Sequence, residues 1–342
     1  MWIAILAALI GAQAVTAAGP VSDPAGSAVG AAADAGRPAH LPGVRHLVGD
    51  WEPADGYLVG REALWGHVVE CVSDAIAPRP VTVVSPAEGS HESAWVRDYG
   101  PLAVRQSDGL VWLDAAYYPD RPTDDALPGH LGRSHGIPTE RLPHRLEGGA
   151  IASNGRGLCV MTDESRRRVA AETGELEARL GCPDLVIVPA LPGEPTGHVD
   201  QLVQFLAPDL AIVATLHGND VSPADDALAD EAASRLAAAA RSTDRGLRVV
   251  RVPAYRDGRG RYFSYVNVVS LRDRLLVPDF TAVPGELQKR AHERLRRAAG
   301  VPLVPVAADQ LALSGGGLHC IVLGLHHRFD RSLSIPPSRR KQ

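Results

Sequence analysis

"GHVDQLVQFLAPDLAIVAT", residues 197–215, carries two apolar, β-branched runs on either side of the polar pair Pro208-Asp209. Two such runs around a short polar turn read as a β-hairpin. The same plan recurs four more times: "WVRDYGPLAVRQSDGLVWLDA" from 95, "EGGAIASNGRGLCVMTD" from 147, "SYVNVVSLRDRLLVPDF" from 264 and "GGGLHCIVLGL" from 315. Each opens on a loop with Gly or small residues, and in the last the second strand is poorly marked. Between the hairpins lie helical patterns at 61–72, 164–180, 223–242 and 284–300, followed by short Val/Pro-rich strands at 79–86, 183–190, 247–254 and 301–308. The repeating unit is therefore strand, strand, helix, strand, which is an α/β architecture. Units that stack only on their neighbours tend to close into rings or solenoids, and a ring carries corresponding positions to a common axis.

Working outward, the 342 residues are 45% hydrophobic and carry a net charge of −5, enough for one large or two ordinary domains. Lys and Arg are scattered, which argues against nucleic acid as a partner. The N-terminus, "MWIAILAALIGAQAVTAAG", has an apolar run of about ten residues followed by small ones, as a signal peptide has. Residues 1–18 are accordingly expected to direct export to the periplasm or exterior. Residues 19–40 read as a flexible Ala/Gly/Pro linker, 41–335 as the catalytic domain and 336–342 as a basic tail. No stretch of the mature chain is long and apolar enough to span a bilayer. Cys71, Cys159, Cys182 and Cys320 lack metal-like spacing; in an exported chain two could pair, and the sequence does not choose which.

Each hairpin carries a polar residue at a corresponding place where a plain core would not want one: Asp98, Glu147, His198 with Asp200, Asn267 and Cys320. Singly, each has a structural explanation. Asp98 could pair with Arg97, His198 could be a satisfied core histidine and Cys320 a small buried hydrophobe. Their recurrence in register points instead to one site.

In order and spacing, "WVRDYGP", "EGG", "GHVD", "SYVN" and "GGGLHC" resemble the agmatine deiminase and bacterial peptidyl-arginine deiminase family, within the guanidino-group-modifying superfamily. The resemblance covers roughly residues 44–325, including "GDWEPADGYLVG" at 49–60. It implies a five-bladed α/β propeller, a covalent Cys320 thiouronium intermediate, and Asp98 and Asp200 holding the guanidinium. Departures are Ala150 after "EGG" and Ile321-Val322 after "HC", which bear on substrate choice rather than reaction class.

The chemistry suits those residue types. Two carboxylates can orient a guanidinium through charge-assisted hydrogen bonds, and burying two acids without a cation is costly. Cys320 attacks as thiolate, favoured by His198 as imidazolium or by the bound guanidinium. His198 then serves as acid and later as base. Its i+2 spacing from Asp200 would place both on one face of a strand. Asn267 positions thiol or substrate, Trp95 and Glu147 support the substrate, and glycines 315–317, Gly317 among them, let backbone approach it.

No cofactor or metal is required. Zinc on His198, Asp200, His319 and Cys320 is disfavoured, because adjacent His319 and Cys320 on a strand would face opposite ways.

The expected function is hydrolysis of peptidyl or C-terminal arginine to citrulline and ammonia. The alternatives are agmatine deimination to N-carbamoylputrescine, on the way to putrescine, and an inactive protein that binds arginine-like cations. Arg121, in the Pro-rich loop 115–129, favours a carboxylate-bearing substrate if it faces the pocket. Asp124 or Asp125 facing inward favours agmatine.

Overall fold

The computed structural model describes residues 45–86, 91–107, 109–172, 174–242 and 246–327. The expected signal peptide, linker and basic tail lie outside them. The described strands form five small sheets. In each, an antiparallel pair is followed by a helix and a third strand that runs parallel to the second. In the third blade, Val203–Ala207 pairs antiparallel with Leu210–Gly218, and the helix Pro223–Ser242 returns the chain to Arg248–Arg256. The second blade repeats this with Ile151–Ser153, Leu158–Thr162 and Asp184–Val188, and the fourth with Val269–Ser270, Leu275–Asp279 and Leu303–Ala307.

The fifth blade explains its poorly marked second strand. Val322–Leu325 pairs antiparallel with Gly56–Gly60, from the other end of the domain. That strand then leads through the helix Gly66–Ile76 to the parallel strand Val81–Val84. The first and last parts of the described region thus share one sheet, which closes the ring.

The first blade corrects the sequence reading. The stretch expected to be a Pro-rich loop contains the helix Pro122–His135, which connects Leu110–Ala116 to the parallel strand Thr139–Arg145. Its start signals are ordinary, with Pro122 in the first turn beside Asp124 and Asp125. Gly136, at φ 67°, ends it in the left-handed conformation. Pro128, Gly129 and Gly132 hide its periodicity. The pattern at 164–180 is likewise two helices, Asp163–Val169 and Glu175–Leu180.

Helix packing follows the 3.6-residue period. Leu287, Ala291, Leu295 and Ala298 of the helix Gly285–Ala299 are all buried, while its Arg and Glu residues face outward. Cys159 and Cys182 form a disulfide within the second blade. Closing a loop of 23 residues' separation restricts the unfolded chain by about 3 kcal/mol. Urea unfolding of a Cys159→Ala/Cys182→Ala variant is expected to show a loss of that order. An unchanged midpoint would mean that the bridge adds nothing to stability.

Candidate active site

The chemical residues lie in short turns that precede the first strand of each blade, not on the strands themselves. Asp98 sits in the helical turn Val96–Tyr99 and Glu147 just before the 3₁₀ turn Gly148–Ala150. His198 and Asp200 flank and occupy the turn Val199–Gln201, Asn267 follows a turn at 265–266, and Cys320 is central in the turn His319–Ile321. Neither His198 and Asp200 nor His319 and Cys320 lie on a strand, so strand alternation applies to neither pair.

His198 is buried between two carboxylates: Nε2 lies 3.0 Å from Glu147 Oε2 and Nδ1 lies 3.6 Å from Asp98 Oδ1. Burial opposes a charged ring, but Asp98, the Glu147 hydrogen bond and Asp200 outweigh it and push its pKa up to about 10. His198 is therefore an imidazolium at neutral pH. The glycines of "EGG" make this approach possible. A Cβ on Gly149 would lie 2.5 Å from His198 Nδ1, and one on Gly148 would collide with the Arg97 carbonyl.

Glu147 takes the closer contact, and despite burial its hydrogen bond from His198 holds its pKa below the usual range. Asp98 is left under-compensated. Burial and the neighbouring Glu147 and Asp200 raise its pKa to about 7 against the pull of His198. Asp98 Oδ1 and Asp200 Oδ1 are both buried and accept no hydrogen bond, Asp98 Oδ1 having only its longer ion pair with His198. Buried carboxylate oxygens are rarely left so, and each has room for an N–H donor.

Cys320 is a free, buried thiol. Its sulfur lies 3.6 Å from Asp200 Oδ2, 3.6 Å from Asn267 Nδ2 and 3.7 Å from Gln201 Nε2. Burial, then Asp200 and Asp98, push the thiol pKa well up. Asn267 Oδ1 also accepts the His319 backbone N–H at 2.7 Å, so this amide holds the cysteine turn as well as facing the sulfur.

The glycine run also makes room for neighbouring side chains. A Cβ on Gly316 would lie 2.5 Å from Trp95 Cζ3, and one on Gly317 would collide with Asn267 Oδ1. These glycines make room for two site side chains. Trp95 is thereby pinned between Gly316 and Trp65, whose ring lies 5.2 Å away.

Arg97 does not pair with Asp98. It donates to Asp50 at 2.7 Å and to the Val322 carbonyl at 2.8 Å, tying the first blade to the fifth. Arg121 does not pair with Asp124, which is fully buried and holds the His91 ring and the Glu92 backbone N–H. Asp125 accepts from the Tyr117 backbone and Arg141. Arg121 instead stacks over Tyr118, 5.2 Å from the ring centroid, and donates to the Tyr117 hydroxyl.

Sequence reasoning missed four neighbours. The Tyr118 hydroxyl donates to Glu147 at 3.0 Å, Arg145 lies over the same ring at 4.5 Å, and Gln201 faces the sulfur. Glu194, four residues before His198, accepts the His198 backbone N–H and borders a cavity of about 120 Å³ with Gln201 and Gly316. "GEP" before "TGHVD" was the available signal for Glu194. The others are joined across blades and left none.

Ligand atoms of Asp98, Glu147 and His198 lie within 4.8 Å of one another, a spacing a metal could use. Both ring nitrogens face carboxylates, so an ion here would have to displace the ring proton that those carboxylates hold.

Five hairpin–helix–strand blades with a buried cysteine, an imidazolium and two open carboxylate oxygens define a guanidino-group-modifying enzyme of the five-bladed α/β propeller class. The Porphyromonas-type peptidyl-arginine deiminase model matches residues 62–324, and the chain belongs to that family. It is a hydrolase of amidine C–N bonds, a guanidino-group deiminase. The agmatine deiminase of Stutzerimonas stutzeri is 25% identical, over 68% of this chain and 74% of that protein. Among solved structures, the agmatine deiminase of Enterococcus faecalis superposes with a TM-score of 0.68 at 20% identity, covering 82% of this chain and 96% of that one. The agmatine deiminase of C. jejuni gives 0.65 at 14% identity, covering 83% and 96%.

Proposed function

We propose that this deiminase hydrolyses arginine bearing a free carboxylate, at a peptide C-terminus or as the free amino acid, to the ureido product and ammonia. The two orphaned oxygens on Asp98 and Asp200 beside Cys320 carry the guanidinium part of the reading. A planar cation presenting N–H groups to both would satisfy them. It would also neutralise the carboxylates that hold the thiol proton in place, so substrate binding itself promotes the thiolate, the proton passing to solvent. Sulfur then attacks the guanidinium carbon. The His198 imidazolium gives its proton to the departing nitrogen as ammonia leaves, which produces a thiouronium on Cys320. His198, now neutral, takes a proton from water as the hydroxyl adds to that carbon. The C–S bond breaks with its electron pair going to sulfur, the hydroxyl proton returns to the thiolate as the carbonyl forms, and the ureido product is released.

The carboxylate preference rests on Arg121 and Arg145, both stacked on Tyr118 at the edge of the Glu147–His198 pair. A second reading, agmatine, is favoured by Glu194. This buried carboxylate on the cavity beside Gln201 and Gly316 could meet an ammonium. The chain is also proposed to be exported. A Cys159–Cys182 disulfide is the kind that persists in oxidising compartments.

Ammonia release with C-terminal arginyl peptides, free arginine and agmatine separates the readings. The expected kcat/KM is higher for the carboxylate-bearing substrates. Arg121→Ala is expected to raise their KM roughly tenfold, with agmatine unaffected. The effect is modest because Arg121 is half-exposed and its charge is screened. Agmatine turned over at least as efficiently, with Arg121→Ala neutral for every substrate, would make agmatine the substrate.

A further inference from the structure

The buried His319 takes no part in the chemistry above, yet it makes one of the shortest side-chain contacts to Asp200. Its Nδ1 lies 2.9 Å from Asp200 Oδ2 and its Nε2 lies 3.4 Å from Asp50 Oδ2. Asp50 is in turn paired with Arg97 at 2.7 Å, and Arg97 donates to the Val322 carbonyl, two residues beyond Cys320. The groups form a row of alternating charge: Asp200, His319, Asp50, Arg97. Arg97 and His319 hold the Asp50 carboxyl well below the usual range despite its burial. A neutral ring would turn a nitrogen lone pair toward that carboxylate, so charge alternation favours the imidazolium.

The consequence falls on Asp200. Its Oδ2 is occupied by His319 and by the Cys320 thiol at 3.6 Å, while its Oδ1 is the orphaned oxygen. Without His319, the carboxylate plane would turn about the Cβ–Cγ bond at little cost and carry the free oxygen away from its present direction. Behind the ring, a cavity of about 20 Å³ bordered by Asp50, Glu52, Arg97, His319 and His326 has room for about one water. The carboxylate could turn toward it.

We propose that His319, braced by Asp50 and Arg97, is a positioning residue that fixes the plane of the Asp200 carboxylate and so the direction from which its free oxygen meets the guanidinium. It acts through Asp200 and touches no reacting atom. The proposal rests on the guanidino hydrolase reading.

The test compares His319→Ala with His319→Asn, whose amide can replace the Nδ1–H donor to Asp200 but cannot reach Asp50. Kinetics on the best substrate of the panel, thermal melts, and calorimetric binding of arginine and agmatine in a Cys320→Ala background are measured for each. Displacing a reacting-group anchor by about an ångström costs roughly 100-fold in rate. His319→Ala is expected to lose about that in kcat/KM and to bind both ligands more weakly. His319→Asn should recover to within about tenfold of wild type. Wild-type kinetics within twofold for His319→Ala would overturn the proposal. So would equal damage in both variants that tracks a common fall in melting temperature, since that marks a packing role. A silent wild type would count against the hydrolase reading alone. The binding arm then decides on His319: weaker binding in His319→Ala with recovery in His319→Asn supports it, and equal binding in all three overturns it.

Discussion

Cys320→Ala is expected to abolish ammonia release from every guanidino substrate while leaving the fold intact. A covalent route that loses its only nucleophile has no partial substitute, and the remaining acid–base and binding groups cannot form the same intermediate. Gln201 and Asn267 face the sulfur with amide groups, and neither is a nucleophile. The fold should survive because the side chain is small and its sulfur makes only long contacts. Its turn is held instead by backbone bonds to Asn267 and by Arg97 on Val322. Wild-type protein quenched during turnover should carry a mass adduct on Cys320, the thiouronium formed as ammonia leaves. Rapid turnover by the alanine variant would place the chemistry elsewhere. A melting temperature that falls as far as activity would give Cys320 a structural role only.

The hairpins were legible because their evidence is local. β-branched runs and turn residues such as Ser107-Asp108-Gly109 lie within a few positions of each other. The helix Pro122–His135 was not, because Pro128 and two glycines interrupt the pattern that would announce it, although its first turn carried the usual signals. The polar residues were found from their register, yet their placement was misread as strand. The blades' first strands start two to five residues later than the motifs, after turns of one helical or 3₁₀ step. Period-2 reasoning does not carry across such turns, so it is no guide to His198 against Asp200 or to His319 against Cys320.

Least legible was what joins distant segments. Asp50 reaches His319, and Gly56–Gly60 reaches Val322–Leu325, because the fifth blade is built from both ends of the domain. The same closure brings Arg97 to the Val322 carbonyl and so fixes the cysteine turn relative to Asp98. No one-dimensional pattern encodes that contact. The resemblance supplied ring closure and blade number; the sheet register explains why the closing blade looked incomplete.

Asp98→Asn is expected to remove most activity and, at the same time, to stabilise the substrate-free protein at neutral pH. The two effects share one cause. The Asp98 carboxyl is largely desolvated, has an oxygen that accepts no hydrogen bond and stands near two other carboxylates, so its pKa is raised to about 7. The unfolded chain releases that proton near the ordinary value of about 3.9. Between these two values the native state binds more protons than the unfolded one, so stability falls as pH rises through the window. Asparagine carries no charge and removes that fall, so its melting temperature should exceed that of wild type above about pH 7 and converge with it near pH 4. Catalysis moves the other way. Losing one partner of a desolvated charge pair costs about 3–5 kcal/mol, roughly 100- to 4,000-fold in kcat/KM. Arginine or agmatine should accordingly raise the melting temperature of Cys320→Ala protein, but not that of the Cys320→Ala/Asp98→Asn double variant. Groups strained in the free protein and relieved by ligand are what a site for a cation requires. If Asp98→Asn retains wild-type rates, Asp98 does not hold the guanidinium. If it loses activity and melts lower at every pH, its carboxylate supports the fold through His198 instead of waiting for substrate.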